Sequence, residues 1–328
     1  YNMILITGAT GLLGSFICRD LLQKGYKVRA IKRQHSRMTL LEDITDQIDW
    51  VVGNMDDTAF LDEALFGVEA VIHGAAIISF DKRDEPAMFK TNVQGTADLV
   101  NACLKAGIKN YTHISSVAAL GRKPNQIKIN ENDRWEGTVY DSIYSRSKHL
   151  SELEVWRGAQ EGLEVKIVNP SVVLGPGIWK KGSTSVFKFA FDEKAFYPSG
   201  TVNFVDVRDV SRAIILLMES NISNERFVLN GGSMLYKDFF GQIAEAFGKN
   251  RPKNPVPQLL LKLAVSLEFL RSRITGKGAL ITSETAKLSQ MHYRFENEKI
   301  KKALNFEFTP FDETVDWSVA ELKRMHNL

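Results

Sequence analysis

Cysteine is scarce in this sequence. Its 328 residues include only Cys18 and Cys103, which are too few for a disulfide framework. Both fall on predicted helix faces, so we interpret them as small buried hydrophobic residues. Such cysteine use indicates a reducing, cytoplasmic setting. The cysteines and the six histidines show no spacing suited to zinc, so we expect no metal site.

A strong charge of either sign is also missing. The 42 basic and 39 acidic residues leave a net charge of +3, which is too small to indicate nucleic acid or an anionic membrane as a partner. The first predicted strand starts almost at residue 1, so we expect no signal peptide in this sequence. The length fits one large α/β unit or two closely joined domains.

The sequence has no long uncharged apolar run. The most apolar stretch, residues 256–274, is interrupted by Lys262, Glu268, Arg271 and Arg273. A bilayer span needs about 20 mostly uncharged apolar residues, so we expect no membrane span. The pattern predicts an amphipathic helix that covers part of the core or a pocket. A helix lying on a membrane surface is the alternative.

Short apolar runs alternate with helical patterns through the first half of the chain. The predicted strands are residues 3–7, 27–32, 51–53, 70–73, 111–115 and 165–168, and the predicted helices are residues 13–24, 58–65, 88–106 and 144–161. Such alternation is typical of βαβ units. It predicts an α/β fold with a doubly wound parallel sheet of the Rossmann type.

The pattern becomes less regular after Pro170. We expect residues 203–219 to add one more strand and helix to the sheet, before a stretch of short helices and loops from about residue 225. We therefore predict a dinucleotide-binding domain made of residues 1–169 and 203–224. Residues 170–202 and 225–328 are predicted to form a smaller, interleaved substrate-binding region.

A glycine-rich turn follows the first predicted strand and opens a helix. It contains Gly8, Thr10, Gly11, Leu12, Leu13 and Gly14, with the glycines three residues apart. Glycines let the backbone turn tightly and approach a pyrophosphate, and the helix N-terminus offers free N–H groups to the phosphates. With a strand before it and a helix after it, this turn predicts a dinucleotide site.

Basic residues end the second predicted strand. An NAD site usually places Asp or Glu there to bond the ribose, whereas a basic residue accommodates the 2′-phosphate of NADP. The strand ends in Lys32 and Arg33, and no acid follows until Glu42. We expect Arg33, with help from Lys32 and Arg37, to bind that phosphate. A solvated basic edge is the alternative. The pattern favours NADP over NAD.

Tyr144 and Lys148 lie four residues apart in a helical pattern, so their side chains project from one face. A free tyrosine has a pKa of about 10, and a nearby ammonium favours the phenolate. The phenol can then exchange a proton with a substrate oxygen. Ser116 lies just beyond a strand end, where functional groups collect in such sheets. We predict that these three residues are catalytic, that Tyr144 and Lys148 also contact the cofactor, and that Lys148 bonds the nicotinamide ribose.

Several motifs occur together in an order that resembles the extended short-chain dehydrogenases/reductases. They are the glycine turn, His73-Gly74-Ala75-Ala76, Asn92-Val93-Gln94-Gly95-Thr96, His113-Ile114-Ser115-Ser116, Tyr144 to Lys148, Asn169-Pro170-Ser171 and residues 204–209. The likeness spans essentially the whole chain. It is greatest to the branch of dihydroflavonol reductases and steroid-dehydrogenase-like proteins, which the stretch 256–274 followed by Ile281-Thr282 and the tail 301–311 also resemble.

The resemblance implies roles that spacing does not show. It implies that Ala75 and Ala76 line the cofactor, that Asn92 supports the cofactor-side network, and that Pro170 and Ser171 lie beside the nicotinamide carboxamide. Asn54 and Met55 occupy the place of the family's usual Asp-hydrophobic pair near adenine. We interpret His73 as a structural or cofactor-adjacent residue. Many relatives form dimers through the helices predicted at 88–106 and 144–161, whereas several reductases of the most similar branch are monomers. We expect a homodimer, with a monomer as the alternative.

Three functions are compatible with these motifs. The first is reduction of a ketone or aldehyde by NADPH. The second is epimerisation or dehydration of a nucleotide sugar with bound NAD, whose relatives carry an arginine just before the segment 204–209 and acids after the catalytic hydroxyl residue. This sequence has neither feature, which counts against the second function. The two places are occupied by Gly200-Thr201-Val202-Asn203 and Val117-Ala118-Ala119. The third is a non-enzymatic NADP-binding regulator. Regulators of this kind lose the tyrosine, so the presence of Tyr144 argues against this function.

The substrate itself cannot be deduced from the sequence, because this fold hosts many chemistries. Aromatic side chains suit a flat, weakly charged substrate, although each is equally expected in an ordinary core. The candidates for the pocket are Phe80, Trp135, Phe187, Tyr197 and Tyr236. We expect a small carbonyl compound that is largely apolar.

Overall fold

A computed structural model describes residues 2–123, 125–138, 141–257, 259–261 and 283–328. Its strands are β1 (Met3–Thr7), β2 (Lys27–Lys32), β3 (Ile48–Val52), β4 (Val68–His73), β5 (Asn110–Ile114), β6 (Lys128–Ile129), β7 (Glu164–Pro170), β8 (Val172–Leu174), β9 (Phe196–Tyr197), β10 (Thr201–Asp206), β11 (Glu225–Leu229), β12 (Gly232–Leu235), β13 (Asn254–Pro255) and β14 (Arg294–Phe295). Its α-helices are α1 (Leu12–Gln23), α2 (Thr58–Ala64), α3 (Glu85–Phe89), α4 (Gly95–Lys105), α5 (Ile143–Gln160), α6 (Ser185–Phe191), α7 (Val207–Glu219), α8 (Tyr236–Ala246), α9 (Ser283–Leu288), α10 (Glu298–Leu304) and α11 (Phe311–His326).

Seven strands form one parallel sheet in the order β11-β7-β5-β4-β1-β2-β3. Helices cover both faces, and two apolar cores lie between them and the sheet. Both cysteines are buried within these cores. The predicted Rossmann-type α/β fold is confirmed. Because all seven strands run in the same direction, their carboxyl ends meet at one edge, where ligands bind in such folds.

A second sheet has the order β12-β10-β8. Strand β10 pairs with β8 in parallel and with β12 antiparallel. The prediction that residues 203–219 add a strand to the main sheet is therefore wrong for the strand. Val202 and Phe204 of β10 pack into a third core together with α8 and α11, so β10 belongs to the smaller sheet.

The seventh strand of the main sheet is β11, which extends the sheet from β7. Its sequence, Glu-Arg-Phe-Val-Leu, ends in three buried apolar residues. Those residues supply the apolar surface that an edge strand needs to pack against the sheet's helices. Sheet membership alone does not define a domain, so the predicted division of the chain into two regions stays a prediction.

The predicted helix 88–106 is interrupted. After α3, residues Lys90–Gln94 form a π-helical turn, and α4 begins at Gly95. Such turns frequently occur at functional sites, and Asn92 lies inside this one.

The predicted amphipathic helix at 256–274 and the Ile281-Thr282 match lie largely outside the described residues. Among the residues that the structure does describe, no helix has the length and apolar character needed to cross a membrane.

Candidate active site

The glycine turn between β1 and α1 forms a tight backbone cradle. Gly8 has a φ of +78°, and a Cβ at this position would lie 2.6 Å from the backbone carbon of Gly74. A Cβ at Gly14 would lie 2.2 Å from the carbonyl oxygen of Gly8. Gly11 precedes α1, and no side chain caps that helix. Free N–H groups at the N-terminus are suited to a phosphate, so this cradle fits the pyrophosphate of a dinucleotide. Thr10, Leu12 and Leu13 lie in the same turn.

A buried hydrogen-bond chain fixes the strand ends beside this cradle. The Thr7 hydroxyl bonds Nδ1 of His73 at 2.7 Å, and Nε2 of His73 bonds the Thr96 hydroxyl at 2.9 Å. The Thr96 hydroxyl donates to the Asn92 carbonyl at 2.6 Å, so its oxygen is free to accept from Nε2–H. His73 is thereby the neutral Nε2–H tautomer, and its burial lowers the pKa to about 3. This is a structural role, in agreement with our interpretation.

The same chain positions the loop after β4. The N–H groups of Gly74 and Ala75 donate to the Thr7 hydroxyl at 3.1 and 3.0 Å. Ala76 is the next residue of this loop. The loop with Ala75 and Ala76 is thus held directly beside Gly8, as a wall of the cradle.

Asn92 connects that loop to α5. Its side-chain oxygen accepts the N–H of Ile77 at 2.7 Å, and its amide donates to the Ile77 carbonyl and to the Ser147 hydroxyl, both at 2.9 Å. Because Asn92 lies in the π-helical turn, it can face both partners. The expected supporting role of Asn92 is therefore consistent with its contacts.

Helix α5 carries Tyr144 and Lys148 one turn apart. Ser142 caps it by accepting the N–H of Ser145 at 3.0 Å. The Tyr144 phenol shares a hydrogen bond with the Ser116 hydroxyl, whose oxygen also accepts the Ala118 N–H at 3.1 Å. Lys148 donates from Nζ to the Ile114 carbonyl at 2.9 Å. The structure therefore brings the three predicted catalytic residues together at the carboxyl end of β5.

Burial shifts the pKa values of Tyr144 and Lys148. Burial raises the pKa of Tyr144, and the hydrogen bond from Ser116 opposes that shift. Burial also lowers the pKa of Lys148 to about 8, while the charge of Glu152 opposes it. The phenol is therefore protonated at neutral pH, and the amine titrates close to neutral pH. Such shifts at a strand edge are typical of a proton-transfer site.

A buried polar bridge behind Ser116 was not predicted from the sequence. The Asn169 amide donates to the Ser116 carbonyl at 2.8 Å and to the Glu152 carboxylate at 2.6 Å. Arg226 of β11 pairs with the other oxygen of Glu152 at 3.1 Å. The available signal was that Glu152 follows Lys148 by four residues and therefore shares its helix face. Pro170 and Ser171 follow Asn169, and the Ser171 N–H donates to the Leu229 carbonyl at 3.0 Å.

The predicted adenosine-side residues lie at the ends of β2 and β3. Arg33 is exposed directly after β2, and Nζ of Lys32 lies 5.6 Å from the centre of the Trp50 ring. Asn54 is exposed after β3, and Met55 packs toward the start of α4 at Gly95. An exposed guanidinium at this place is available to a phosphate.

The five aromatic pocket candidates do not form a single cluster around Tyr144. Phe80 meets Tyr144 edge to face at 5.8 Å. Trp135 instead stacks on His149 at 4.7 Å. Phe187 is fully buried in the third core, and Tyr236 and Tyr197 pack against that core. Of these five, Phe80 is the residue in ring contact with the predicted catalytic tyrosine. Among the described residues, no group of acidic, histidine or cysteine side chains could hold a metal ion.

The family model for the NAD dependent epimerase/dehydratase family matches residues 4–230. The chain is 29% identical over 312 residues to a protein of Synechocystis sp. that is provisionally named a dihydroflavonol 4-reductase, covering 92% of this chain and 89% of the other. It is 25% identical over 342 residues to cinnamoyl-CoA reductase 1 of Oryza sativa, covering 100% and 92%. The crystal structure of gox2253 matches with a TM-score of 0.83 at 29% identity, over 99% of each chain.

The matched family and its members are NAD(P)-dependent oxidoreductases, epimerases and dehydratases, so this protein is an enzyme that uses a nicotinamide dinucleotide. Its match to the family model, its reductase relatives and the seven-stranded parallel sheet all agree with the resemblance seen in the motifs. The chain belongs to the NAD-dependent epimerase/dehydratase family, as an extended short-chain dehydrogenase/reductase of the dihydroflavonol-reductase-like branch.

Proposed function

We propose that this enzyme reduces a ketone or aldehyde of a small, largely apolar substrate with NADPH, and that Tyr144 donates the proton. The single observation behind this proposal is the contact of Tyr144 with Ser116, one helical turn from the buried Lys148. Relatives named as reductases of dihydroflavonol and cinnamoyl-CoA support the same reaction class.

The three residues divide the work on the substrate oxygen. When bound, NADPH supplies the hydride. The Ser116 hydroxyl orients the carbonyl oxygen, and the protonated Tyr144 phenol donates its proton to that oxygen as negative charge develops. The Lys148 ammonium, fixed by its bond to Ile114, stabilises the phenolate that remains.

Two further features shape the site and hold its geometry. Phe80 lies against the Tyr144 ring and gives the substrate an apolar wall. The Asn169 bridge fixes the Ser116 backbone. Positioning of this kind lowers the entropy cost of reaching the reactive arrangement.

We propose NADP rather than NAD because the end of β2 offers Arg33 and no acid. A guanidinium binds a phosphate through charge-assisted hydrogen bonds. The cofactor-binding roles of the glycine turn, Lys32, Asn54, Met55, Ala75, Ala76, Asn92, Pro170 and Ser171 are part of this proposal.

The second candidate is epimerisation or dehydration of a nucleotide sugar. The fold supports it, since UDP-glucose 4-epimerase of Thermotoga maritima matches with a TM-score of 0.80, but at 19% identity this likeness shows the fold alone. The segment after Ser116 is a short turn of Val117, Ala118 and Ala119 without an acid. This composition favours carbonyl reduction.

The test is cofactor turnover with a substrate panel. Purified enzyme is mixed with NADPH and aromatic or aliphatic aldehydes and ketones, and the loss of reduced cofactor is followed by absorbance. We expect oxidation that depends on a carbonyl compound and is faster with NADPH than with NADH. Conversion of UDP-sugars without net cofactor oxidation would support the second candidate instead.

Two proposals concern the protein as a whole. We propose a dinucleotide-binding domain of residues 1–169 and 203–224 and a substrate-binding region made of the remaining residues. Limited proteolysis with and without NADPH tests this division. We also propose a cytoplasmic homodimer joined through α4 and α5, which sedimentation analysis tests.

A further inference from the structure

Arg122 is a buried cation that makes no salt bridge with any residue in the described part of the chain. The Arg122 side chain lies almost entirely inside the protein, since the residue is 8% exposed. Its buried Nε has no hydrogen-bond partner. Within the ranges that the structure describes, no acidic side chain forms an ion pair with it. A buried guanidinium destabilises the folded protein unless it is paired, because burial removes its hydration. Among the described residues, no salt bridge to an acidic side chain offsets this cost in the free enzyme.

Two aromatic rings hold the guanidinium in place. Its central carbon lies 5.2 Å from the ring centre of Tyr293 and 5.7 Å from that of Phe295. Such stacking orients the plane of the group but leaves its N–H donors at the edge unused. The group is therefore fixed in orientation and still able to donate hydrogen bonds.

Arg122 lies between the segment that follows Ser116 and the second sheet. It follows Ser116 by six residues. Its aromatic neighbours are fastened to β10 by Asn203, which donates to the Tyr293 carbonyl at 3.2 Å and accepts the Phe295 N–H at 3.1 Å. The guanidinium thus lies between the segment after the catalytic serine and the second sheet.

The local charge suits a monoanion. Burial raises the pKa of the Asp141 carboxyl, and the bond from the Thr138 N–H and then the nearby charge of Arg122 oppose that shift. Asp141 therefore lies near Arg122, although the two side chains form no ion pair. A single cation can pair with one negative charge, so it matches a monoanion better than a dianion such as phosphate. A planar fork of N–H donors matches the two oxygens of a carboxylate.

We propose that Arg122 binds a carboxylate of the substrate, so that the enzyme reduces carbonyl compounds that carry an acid group on an apolar body. This inference rests on the proposed function. The substrate extends from Tyr144, where the carbonyl is reduced, to Arg122, where the carboxylate is held.

The first test measures binding and stability without turnover. Arg122→Met removes an uncompensated buried charge at similar volume, so it should raise the melting temperature of the free protein. Benzoate should raise the melting temperature of the wild type and leave that of Arg122→Met unchanged. Arg134→Met, an exposed arginine of the same loop, is the matched control and should keep the response to benzoate. A lower melting temperature for Arg122→Met would show a structural arginine and overturn the proposal.

The second test compares para-acetylbenzoate with its methyl ester. A charge-assisted hydrogen bond contributes about 1.5–3 kcal/mol, so kcat/KM of the wild type should favour the acid by about 10-fold to 100-fold. Arg122→Met should bring that ratio to about one through the KM of the acid, with the ester unaffected. Arg122→Lys, which keeps the charge and loses the fork, should give an intermediate ratio. An unchanged ratio in Arg122→Met overturns the proposal.

The two proposals fail in different ways. If no carbonyl compound oxidises NADPH, the proposed function is wrong, and the benzoate response still reports on Arg122. If the ester is reduced and benzoate stabilises Arg122→Met as much as the wild type, the reductase stands and the carboxylate site does not.

Discussion

Asn169 donates its side-chain amide to the backbone carbonyl of Ser116 at 2.8 Å. The same amide donates to the Glu152 carboxylate at 2.6 Å, and Glu152 in turn pairs with Arg226. The backbone of the predicted catalytic serine is therefore anchored to an ion pair at the edge of the sheet. Strands β7 and β11 and helix α5 all contribute to this anchor, so it links the site to the fold.

Asn169→Ala should therefore lower kcat. Loss of a hydrogen bond to a charged group costs about 1.5–3 kcal/mol, and we expect kcat to fall about 10-fold or more because Ser116 is no longer fixed. The KM for NADPH should change little. Asn110→Ala is the control, because Asn110 also makes two side-chain bonds, to Met218 and Lys166, at the start of β5. It should lose stability and keep kcat. Equal kcat losses in both variants would contradict a positioning role.

Lys148 should make stability depend on alkaline pH. Its pKa is about 8 in the folded protein and about 10.4 in an unfolded chain. Between these values the unfolded chain binds more protons, so stability rises with pH through that window. Below about pH 8 the buried charge destabilises the fold fully.

The variant Lys148→Met removes this titration. It should be more stable than the wild type at neutral pH, and the difference should shrink as pH rises from about 8 to about 10.4. Melting temperatures of both proteins across this range measure the effect. A difference that stays constant with pH would show that the amine is not buried with a lowered pKa.

In the wild type, carbonyl reduction should also fall as pH rises above about 8, because Lys148 loses its charge.

Replacing Arg33 should change the choice of cofactor. Arg33→Ser removes the cation expected to meet the 2′-phosphate, so the KM for NADPH should rise about 10-fold to 100-fold, the range of a charge-assisted contact. The KM for NADH should stay within about 2-fold, because NADH carries no such phosphate. Lys27→Ser, an exposed basic residue at the other end of β2, is the control. Equal changes with NADPH and NADH would place the phosphate elsewhere.

Two glycines of the cradle should respond differently to alanine. A Cβ at Gly14 would lie 2.2 Å from the Gly8 carbonyl oxygen, whereas a Cβ at Gly11 would lie 3.4 Å from it. Gly14→Ala should therefore lower the melting temperature of the free protein, and Gly11→Ala should leave it nearly unchanged. Both should weaken NADPH binding, measured by fluorescence titration, since Gly11 lies where the pyrophosphate is expected. Full NADPH binding by Gly11→Ala would contradict that position.

Local sequence patterns were sufficient to predict most strands of the main sheet and helix α5, which carries Tyr144 and Lys148. The alternation of apolar runs and helical segments specified six of its strands, because a buried parallel strand is read directly from its apolar residues. The four-residue spacing of Tyr144 and Lys148 specified a shared helix face. The glycine turn was found because its constraint is local.

Long-range pairing could not be read in this way. The seventh strand, β11, starts with Glu225 and Arg226 and was overlooked, while β10 was placed in the wrong sheet. Strand partners depend on packing between residues distant in sequence. The anchor of Ser116 has the same origin, since Glu152, Asn169 and Arg226 come from three elements. The position of Phe187 in the third core likewise depends on tertiary packing.

The central claim is that the Tyr144 phenol donates the proton in carbonyl reduction. The direct measurement is single-turnover oxidation of bound NADPH by a carbonyl substrate in the wild type and in Tyr144→Phe, with NADPH affinity measured in parallel. General acid catalysis contributes about 10²-fold to 10⁴-fold, so Tyr144→Phe should lose at least about 10²-fold in rate while its affinity for NADPH stays nearly unchanged. A rate equal to that of the wild type would contradict the account.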